Sequence, residues 1–168
     1  VGLFLIHGIV SYYIGLRLWQ SVGMIVAPEL ENYYWTIVLF LASTYCIGRI
    51  GAIYFPGKVS DKLIWSGCYW LGLSFYLCLL WLLYDLLIFV TRFLGYLPDM
   101  GTSYPVSAGV SIAFAAIGLV VYGAWNASNP VLRHYDITIH KKASTCKQLH
   151  IVMISDLHLG LLVGKKRL

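Results

Sequence analysis

Four long apolar stretches make up most of this 168-residue chain. They cover residues 1–26, 33–55, 63–90 and 106–125. An α-helix rises about 1.5 Å per residue and the hydrocarbon core of a bilayer is about 30 Å thick, so about 20 residues are enough to cross it. Each stretch is long enough to span a membrane, and the sequence predicts four transmembrane helices within a domain over residues 1–127.

The overall composition agrees with a membrane protein. Hydrophobic residues make up 60% of the chain and charged residues 11%, whereas an average soluble domain has about 45–50% and about 25%. The 16 Gly and 5 Pro are too few for a disordered or collagen-like chain, and 4 Cys are too few for a disulfide scaffold. These classes are therefore excluded together.

The first stretch contains two polar residues, His7 and Arg17. A secretory signal peptide is the alternative interpretation here. It is disfavoured because no basic segment leads the stretch and because a signal core is only about 7–15 residues long. We expect an anchored helix instead.

The basic residues are distributed unevenly between the two sides of a four-span topology. The side that holds both termini and the middle loop collects ten of them: Arg49, Lys58, Lys62, Arg133, Lys141, Lys142, Lys147, Lys165, Lys166 and Arg167. The other side holds Arg92 and Arg17. Because Lys and Arg concentrate in cytoplasmic loops, we expect a multi-pass protein of the plasma membrane with both termini in the cytoplasm.

Asp85 lies in the third apolar stretch, and an acid at membrane depth is a candidate functional residue by default. The alternative is that the span ends near residue 82, which places Asp85 in the headgroup layer close to Arg92. Arg17 and His7 present the same choice, and we assign transport chemistry to none of the three.

The fourth stretch carries small residues at helical spacing: Ser107, Ser111, Ala115 and Gly118. Small side chains let a neighbouring helix approach closely. The stripe predicts packing within the bundle, with a dimer face as the alternative.

Beyond residue 127 the pattern changes to one typical of strands. In residues 135–140 apolar and polar side chains alternate with a period of two, and residues 149–154 are nearly all apolar. The first pattern predicts a half-buried strand and the second a strand covered on both faces. Residues 128–168 are therefore expected to be a linker and the start of a water-soluble domain.

Asp156 and His158 follow the second predicted strand directly. Extended backbone points residues i and i+2 the same way, so a carboxylate oxygen and an imidazole nitrogen can meet on one metal ion. On its own, this D-x-H pattern is short and also fits an ordinary loop.

In its strand setting, the segment HIVMISDLHLG (residues 150–160) resembles the opening motif of the calcineurin-like metallophosphoesterases. A wider resemblance, to the membrane-anchored branch of that family, rests on the four apolar stretches together with the segments YGAWN (122–126) and DITI (136–139). The resemblance implies an all-α transmembrane four-helix bundle followed by the first two β-strands of an α/β/β/α sandwich. It also implies that Asp156 and His158 bind the first of two divalent metal ions (Mn, Fe or Zn), and that Gly160 permits a tight turn beside them.

The family's later motifs, G-D-x-x-D, G-N-H-[DE] and G-H-x-H, are absent from the 168 residues. We therefore expect the membrane region and first metal motif of a larger phosphoesterase, inactive as this fragment alone. Its expected partners are the lipid bilayer and a phosphate-ester substrate, with lipid-linked esters attractive. The alternative is a non-enzymatic four-helix membrane module for anchoring or interaction. Three basic residues at 165–167 without interleaved aromatics do not indicate nucleic-acid binding, and the oligomeric state stays open.

Overall fold

The computed structural model describes residues 2–23, 25–96, 104–129, 131, 133–137 and 150–153. Within them lie four α-helices: α1 (Gly2–Val22), α2 (Glu31–Tyr54), α3 (Lys58–Phe93) and α4 (Val106–Ala127). A short 3-10 turn, Pro28–Leu30, precedes α2. The chain divides into two compact units, Val1–Ala124 and Trp125–Leu168. The predicted domain boundary after residue 127 stays a prediction.

The ends of the helices follow from local sequence. Pro56 and Gly57 separate α2 from α3, because proline supplies no backbone N–H to continue a helix. After α3, Gly95 adopts a φ of 75°, and its N–H and that of Tyr96 bond back to the carbonyls of Arg92 and Thr91. Glycine adopts this left-handed backbone without steric cost, so the chain can turn there.

Three helical segments have the length and apolar composition needed to cross a membrane: Pro28–Tyr54, Lys58–Phe93 and Val106–Ala127. Large apolar side chains on all three are exposed, including Phe40, Phe75 and Phe114. A bilayer would cover such side chains with lipid, so their exposure is consistent with helices that can cross a membrane. The helix α1 is not among the three, so a fourth crossing stays a prediction.

The helix α3 is longer than any bilayer requires. Its 36 residues correspond to about 54 Å, against a hydrocarbon core of about 30 Å. Even a tilt at the upper end of the usual range, about 40°, shortens the projected length only to about 41 Å. A helix of this length that crosses a bilayer therefore extends beyond the hydrocarbon core.

The helices α2 and α3 form an antiparallel hairpin in which backbone meets backbone. A Cβ atom added at Gly67 would lie 2.5 Å from the Tyr45 backbone nitrogen and Cα, and one added at Gly48 would lie 2.7 Å from the Ile64 backbone nitrogen. Nearer the turn, Gly51 faces the Ser60 hydroxyl, which donates to the Phe55 carbonyl over 2.9 Å. Small residues thus allow close approach, which favours helix association in lipid.

A small buried cluster joins α1, α3 and α4 through Ile14, Leu77 and Ala116. On α4 the buried residues are Gly109 and Ala116. The predicted small-residue stripe is exposed at all four of its positions, Ser107, Ser111, Ala115 and Gly118. The prediction that this stripe packs within the bundle was therefore wrong, and its use as a dimer face is untested.

The predicted strands are also wrong. All regular secondary structure in the described residues is helical, and residues 133–137 and 150–153 form neither helix nor strand. Their apolar side chains are exposed: Tyr135, Ile137, Ile151, Val152 and Met153 are each at least 77% accessible. Alternating polarity produces a strand only where neighbouring strands and a covering layer bury the apolar face, and these residues have no such cover. The expected first two strands of a sandwich are accordingly replaced by an all-helical architecture in the described part.

Candidate functional site

The two predicted metal ligands, Asp156 and His158, lie outside the described residues. The segment just before them, residues 150–153, is described and exposed. No group of three His, Cys, Asp or Glu side chains with metal-binding geometry occurs in the described part of the chain. The assignment of these two residues as ligands stays a prediction.

The structure instead brings together charged and aromatic side chains from α1 and α3. Arg17 Nη2 donates to Asp85 Oδ2 over 2.7 Å, and the two side chains are each 22% accessible. The Tyr13 hydroxyl donates to the same Asp85 oxygen, also over 2.7 Å. Arg17 Nη1 donates to Gln20 Oε1 over 3.0 Å. A single carboxylate oxygen thus receives two hydrogen bonds from α1, and these link α1 to α3.

Aromatic rings surround this ion pair. The Arg17 guanidinium carbon lies 4.6 Å from the Tyr104 ring centroid and 5.3 Å from that of Tyr13. Trp81 packs edge to face with Tyr84 and Tyr104, each at 5.7 Å between centroids. A cation over an aromatic face is attracted by its quadrupole, so these rings stabilise the guanidinium in partly desolvated surroundings. We call Tyr13, Arg17, Trp81, Asp85 and Tyr104 the Arg17 cluster.

Tyr104 belongs to the segment just before α4. Burial raises the pKa of its phenol above the usual value of 10.0, and Arg17 opposes this increase. The Tyr104 hydroxyl therefore remains protonated at neutral pH. The net charge of the Arg17 cluster is zero, because the guanidinium and the Asp85 carboxylate cancel.

The pairing of Arg17 with Asp85 is the contact that our sequence interpretation missed. The sequence pattern treats each residue separately and leaves Asp85 either at membrane depth or in the headgroup layer near Arg92. A sequence argument was available, since α1 and α3 are separated by one helix and therefore run in the same direction. Arg17 lies 5 residues before the end of α1 and Asp85 lies 8 residues before the end of α3, so two isolated opposite charges come to the same end of the bundle.

Two further polar contacts hold α1 against α2. The Tyr34 hydroxyl donates to the Gly15 carbonyl over 2.7 Å, and His7 Nε2 lies 3.2 Å from the Ala42 carbonyl oxygen. Gly15 also permits a close approach, because a Cβ there would lie 2.8 Å from the Trp35 ring. His7 thus contacts backbone between helices, which gives it a structural partner.

Comparisons with known proteins bear on the family. No family model matches the chain, and no solved structure matches it. A curated protein of Danio rerio, named transmembrane protein with metallophosphoesterase domain, is 27% identical over 172 residues, which is 91% of this chain. The chain spans 37% of that relative's length. This similarity to a transmembrane protein with a metallophosphoesterase domain supports membrane association and the resemblance to the metallophosphoesterase family.

Proposed function

We propose that this chain is the membrane region, and the beginning of the catalytic region, of a membrane-anchored, metal-dependent phosphoesterase. The observation that carries the proposal is the similarity to the Danio rerio protein, which extends over 91% of the chain and not over a short motif alone. The printed name of that relative joins the two properties that the sequence suggests, transmembrane helices and a metallophosphoesterase domain. Membrane-capable helices in the structure are consistent with the first property.

In this proposal Asp156 and His158 bind a divalent ion, Mn, Fe or Zn, as part of a two-metal centre. A carboxylate and a neutral imidazole are ordinary ligands for such ions. When bound, two metal ions would lower the pKa of a water molecule and hold the phosphate that it attacks. Two donors do not complete such a centre, so the other ligands would come from the remainder of the full-length protein. The substrate is a phosphate ester, and anchoring in the bilayer favours lipid-linked ones.

The test is a pair of substitutions in the full-length protein, Asp156→Asn and His158→Gln. Each removes a metal-binding group while nearly preserving side-chain shape. Hydrolysis of phosphomonoester and phosphodiester substrates in detergent, across a manganese series, should fall by more than about 100-fold, since changes outside the ligands alone already cost about 10–100-fold. Excess manganese should restore part of the activity.

The matched control is His150→Gln in the same protein. His150 is an exposed histidine eight positions before His158, and its substitution should leave activity within a factor of about two. Full activity in Asp156→Asn would contradict the proposed function, because the proposed chemistry depends on that carboxylate.

The proposed orientation places both termini and the catalytic region in the cytoplasm. It rests on the excess of basic residues on that side of the topology. A Ser144→Cys variant without the native cysteines should resist a membrane-impermeant thiol reagent in intact cells and react after lysis. Labelling of this variant in intact cells would contradict the proposed orientation and place the catalytic region outside the cell.

A further inference from the structure

Two exposed lysines, Lys58 and Lys62, lie near the beginning of α3. They are four positions apart, which places them one turn apart on the same face of the helix. Neither lysine has an ion-pair partner in the described part of the chain. The neighbouring acid, Asp61, lies about 100° around the helix from Lys62 and forms no described ion pair with either lysine. The two ammonium groups are therefore available to an anion from outside the described chain.

Two aromatic residues continue this face toward the middle of the helix. Trp65 and Tyr69 follow at helical spacing, and their ring centroids lie 4.3 Å apart. Trp65 is 50% exposed. The face points away from α2, because α2 approaches α3 at Ile64 and Gly67, which lie on the other side of a helix that turns by about 100° per residue. The aromatic pair is therefore open to whatever surrounds the hairpin.

The next position on this face is Gly72. A Cβ atom added there would have nothing within 4 Å, so the glycine leaves an open notch in the helix surface directly below the aromatic pair. From the first lysine to this notch the helix rises about 21 Å. We call Lys58, Lys62, Trp65, Tyr69 and Gly72 the outer stripe of α3. It presents, in order, positive charge, aromatic rings and an unfilled apolar notch.

This order matches the layers of one phospholipid molecule. Lysine binds phosphate as a point charge, Trp and Tyr favour the interface between headgroup and hydrocarbon, and a notch without a side chain has room for an acyl chain. We propose that the outer stripe binds one anionic glycerophospholipid, with the two lysines on its headgroup and an acyl chain along the rings to Gly72.

The charge of the stripe favours an anionic lipid over phosphatidylcholine. The trimethylammonium of a choline headgroup would bring a third positive charge beside the two lysines, and like charges repel. An anionic headgroup lacks that opposing charge, and basic residues next to a membrane surface attract it. The inference requires that α3 crosses a membrane, and it does not depend on the proposed phosphoesterase activity.

The experiment measures lipid binding to the intact chain in an uncharged detergent by native mass spectrometry. The protein is titrated with phosphatidylglycerol or with phosphatidylcholine of the same acyl chains, and the Kd of the first bound lipid is determined. A basic residue close to an anionic surface contributes about fivefold to binding, so phosphatidylglycerol should bind at least about tenfold more tightly. Lys58→Gln/Lys62→Gln should abolish this preference. Equal affinity of the unchanged chain for the two lipids would overturn the proposal.

Arg49→Gln is the matched control for charge. Arg49 is also exposed and lies toward the same end of the hairpin, but it belongs to α2 and not to the outer stripe. Lys62→Gln should weaken phosphatidylglycerol binding by about fivefold, and Arg49→Gln should change it by less than about twofold. Equal losses in the two variants would show attraction to the general positive charge of this end and would overturn the site.

Gly72→Leu tests the acyl chain. The new side chain fills the notch, so binding of both lipids should weaken by about threefold or more, and unchanged binding would overturn the assignment of the notch. Inorganic phosphate in excess tests the headgroup alone. It should leave phosphatidylglycerol bound, whereas displacement of the lipid would show that the lysines recognise a free anion and would overturn the proposed lipid site.

Discussion

The contact between α2 and α3 differs from the contact between α1 and α3 in the atoms that make it. In the first, glycines at positions 48 and 67 bring the two backbones together, and no described ion pair is involved. In the second, a guanidinium and a tyrosine hydroxyl on α1 bind one carboxylate on α3. One contact depends on the absence of side chains and the other on their chemistry.

This difference reflects how helices associate in lipid. Lipid tails are as apolar as Leu, so burying a Leu between two helices gains little, and close packing and hydrogen bonds become the main attractions. Close packing is lost when any atom is added at the contact. A polar contact is lost when one partner is removed, but it can be replaced by apolar side chains of similar size. Substitutions should therefore separate the two kinds of contact.

The largest effect is expected for Gly67→Leu. The new Cβ atom would meet backbone atoms of Tyr45 at 2.5 Å, and backbone cannot rotate away as a side chain can. We expect a loss of stability at or above the upper end of the about 1–3 kcal/mol typical of overpacking, measured by unfolding in mixed micelles with increasing SDS. Gly72→Leu on the same helix is the control, because nothing lies within 4 Å of a Cβ there. Equal losses in both variants would show that the hairpin does not depend on close approach.

A smaller effect is expected for Arg17→Leu, which leaves the Asp85 carboxylate partly buried without its cationic partner. The cost should be about 1–3 kcal/mol, the penalty for a buried polar group without its partner. The double variant Arg17→Leu/Asp85→Leu should recover most of this loss in the same SDS titration, since an apolar pair can replace an ion pair. A double variant as unstable as the sum of the two single variants would mean that the residues act independently.

Tyr13→Phe should have a modest effect. It removes one hydroxyl that donates to Asp85 over 2.7 Å and leaves the ion pair in place. Hydrogen bonds between membrane helices contribute about 0.6 kcal/mol on average, and we expect a loss near that value in the midpoint of SDS unfolding. Tyr12→Phe is the matched control, because Tyr12 stacks on Trp35 and 61% of it is exposed. A larger loss for Tyr12→Phe than for Tyr13→Phe would contradict the assignment.

The smallest effect is expected for Gly51→Ala, close to the turn of the α2–α3 hairpin. The added Cβ would lie 3.0 Å from Ser60 Oγ, so the hydroxyl must move slightly. An alanine in a helix is favoured over glycine by about 0.5–1 kcal/mol, which opposes this crowding. The midpoint of SDS unfolding should therefore change little. A loss of stability as large as that of Gly67→Leu would show that the stability of the hairpin depends most on the helix contact near its turn.

The ends of the helices show how much of the fold could be predicted from the sequence. The predicted spans 33–55 and 106–125 match α2 and α4 to within two residues at each end, because Pro and Gly mark the ends and apolar length marks the interior. The third span was predicted as 63–90, and α3 is longer at both ends. The predicted span leaves the polar residues Lys58 and Asp61 in the preceding loop, yet they form the first turn of α3.

The predicted strands failed for a different reason. Alternation in residues 135–140 and the apolar run 149–154 specify which faces a strand would bury, but they do not supply the neighbouring strands that bury them. Helices satisfy their backbone hydrogen bonds internally, so an apolar run of 20 residues determines a helix by itself. Strands satisfy them only with a partner, and so local pattern alone did not determine their formation.

The sequence by itself determined that this chain has long apolar helices and where most of them end, and through the D-x-H motif it indicated the family that similarity to a transmembrane relative supports. Only the tertiary structure decided which helix faces meet. It placed Gly109 and Ala116 of α4 in the interior and left the evenly spaced stripe at 107, 111, 115 and 118 exposed. It also joined Arg17 to Asp85, 68 residues apart. Both outcomes depend on the rotation of each helix about its axis, and in a helix that is apolar all round the pattern of apolar residues does not specify that rotation.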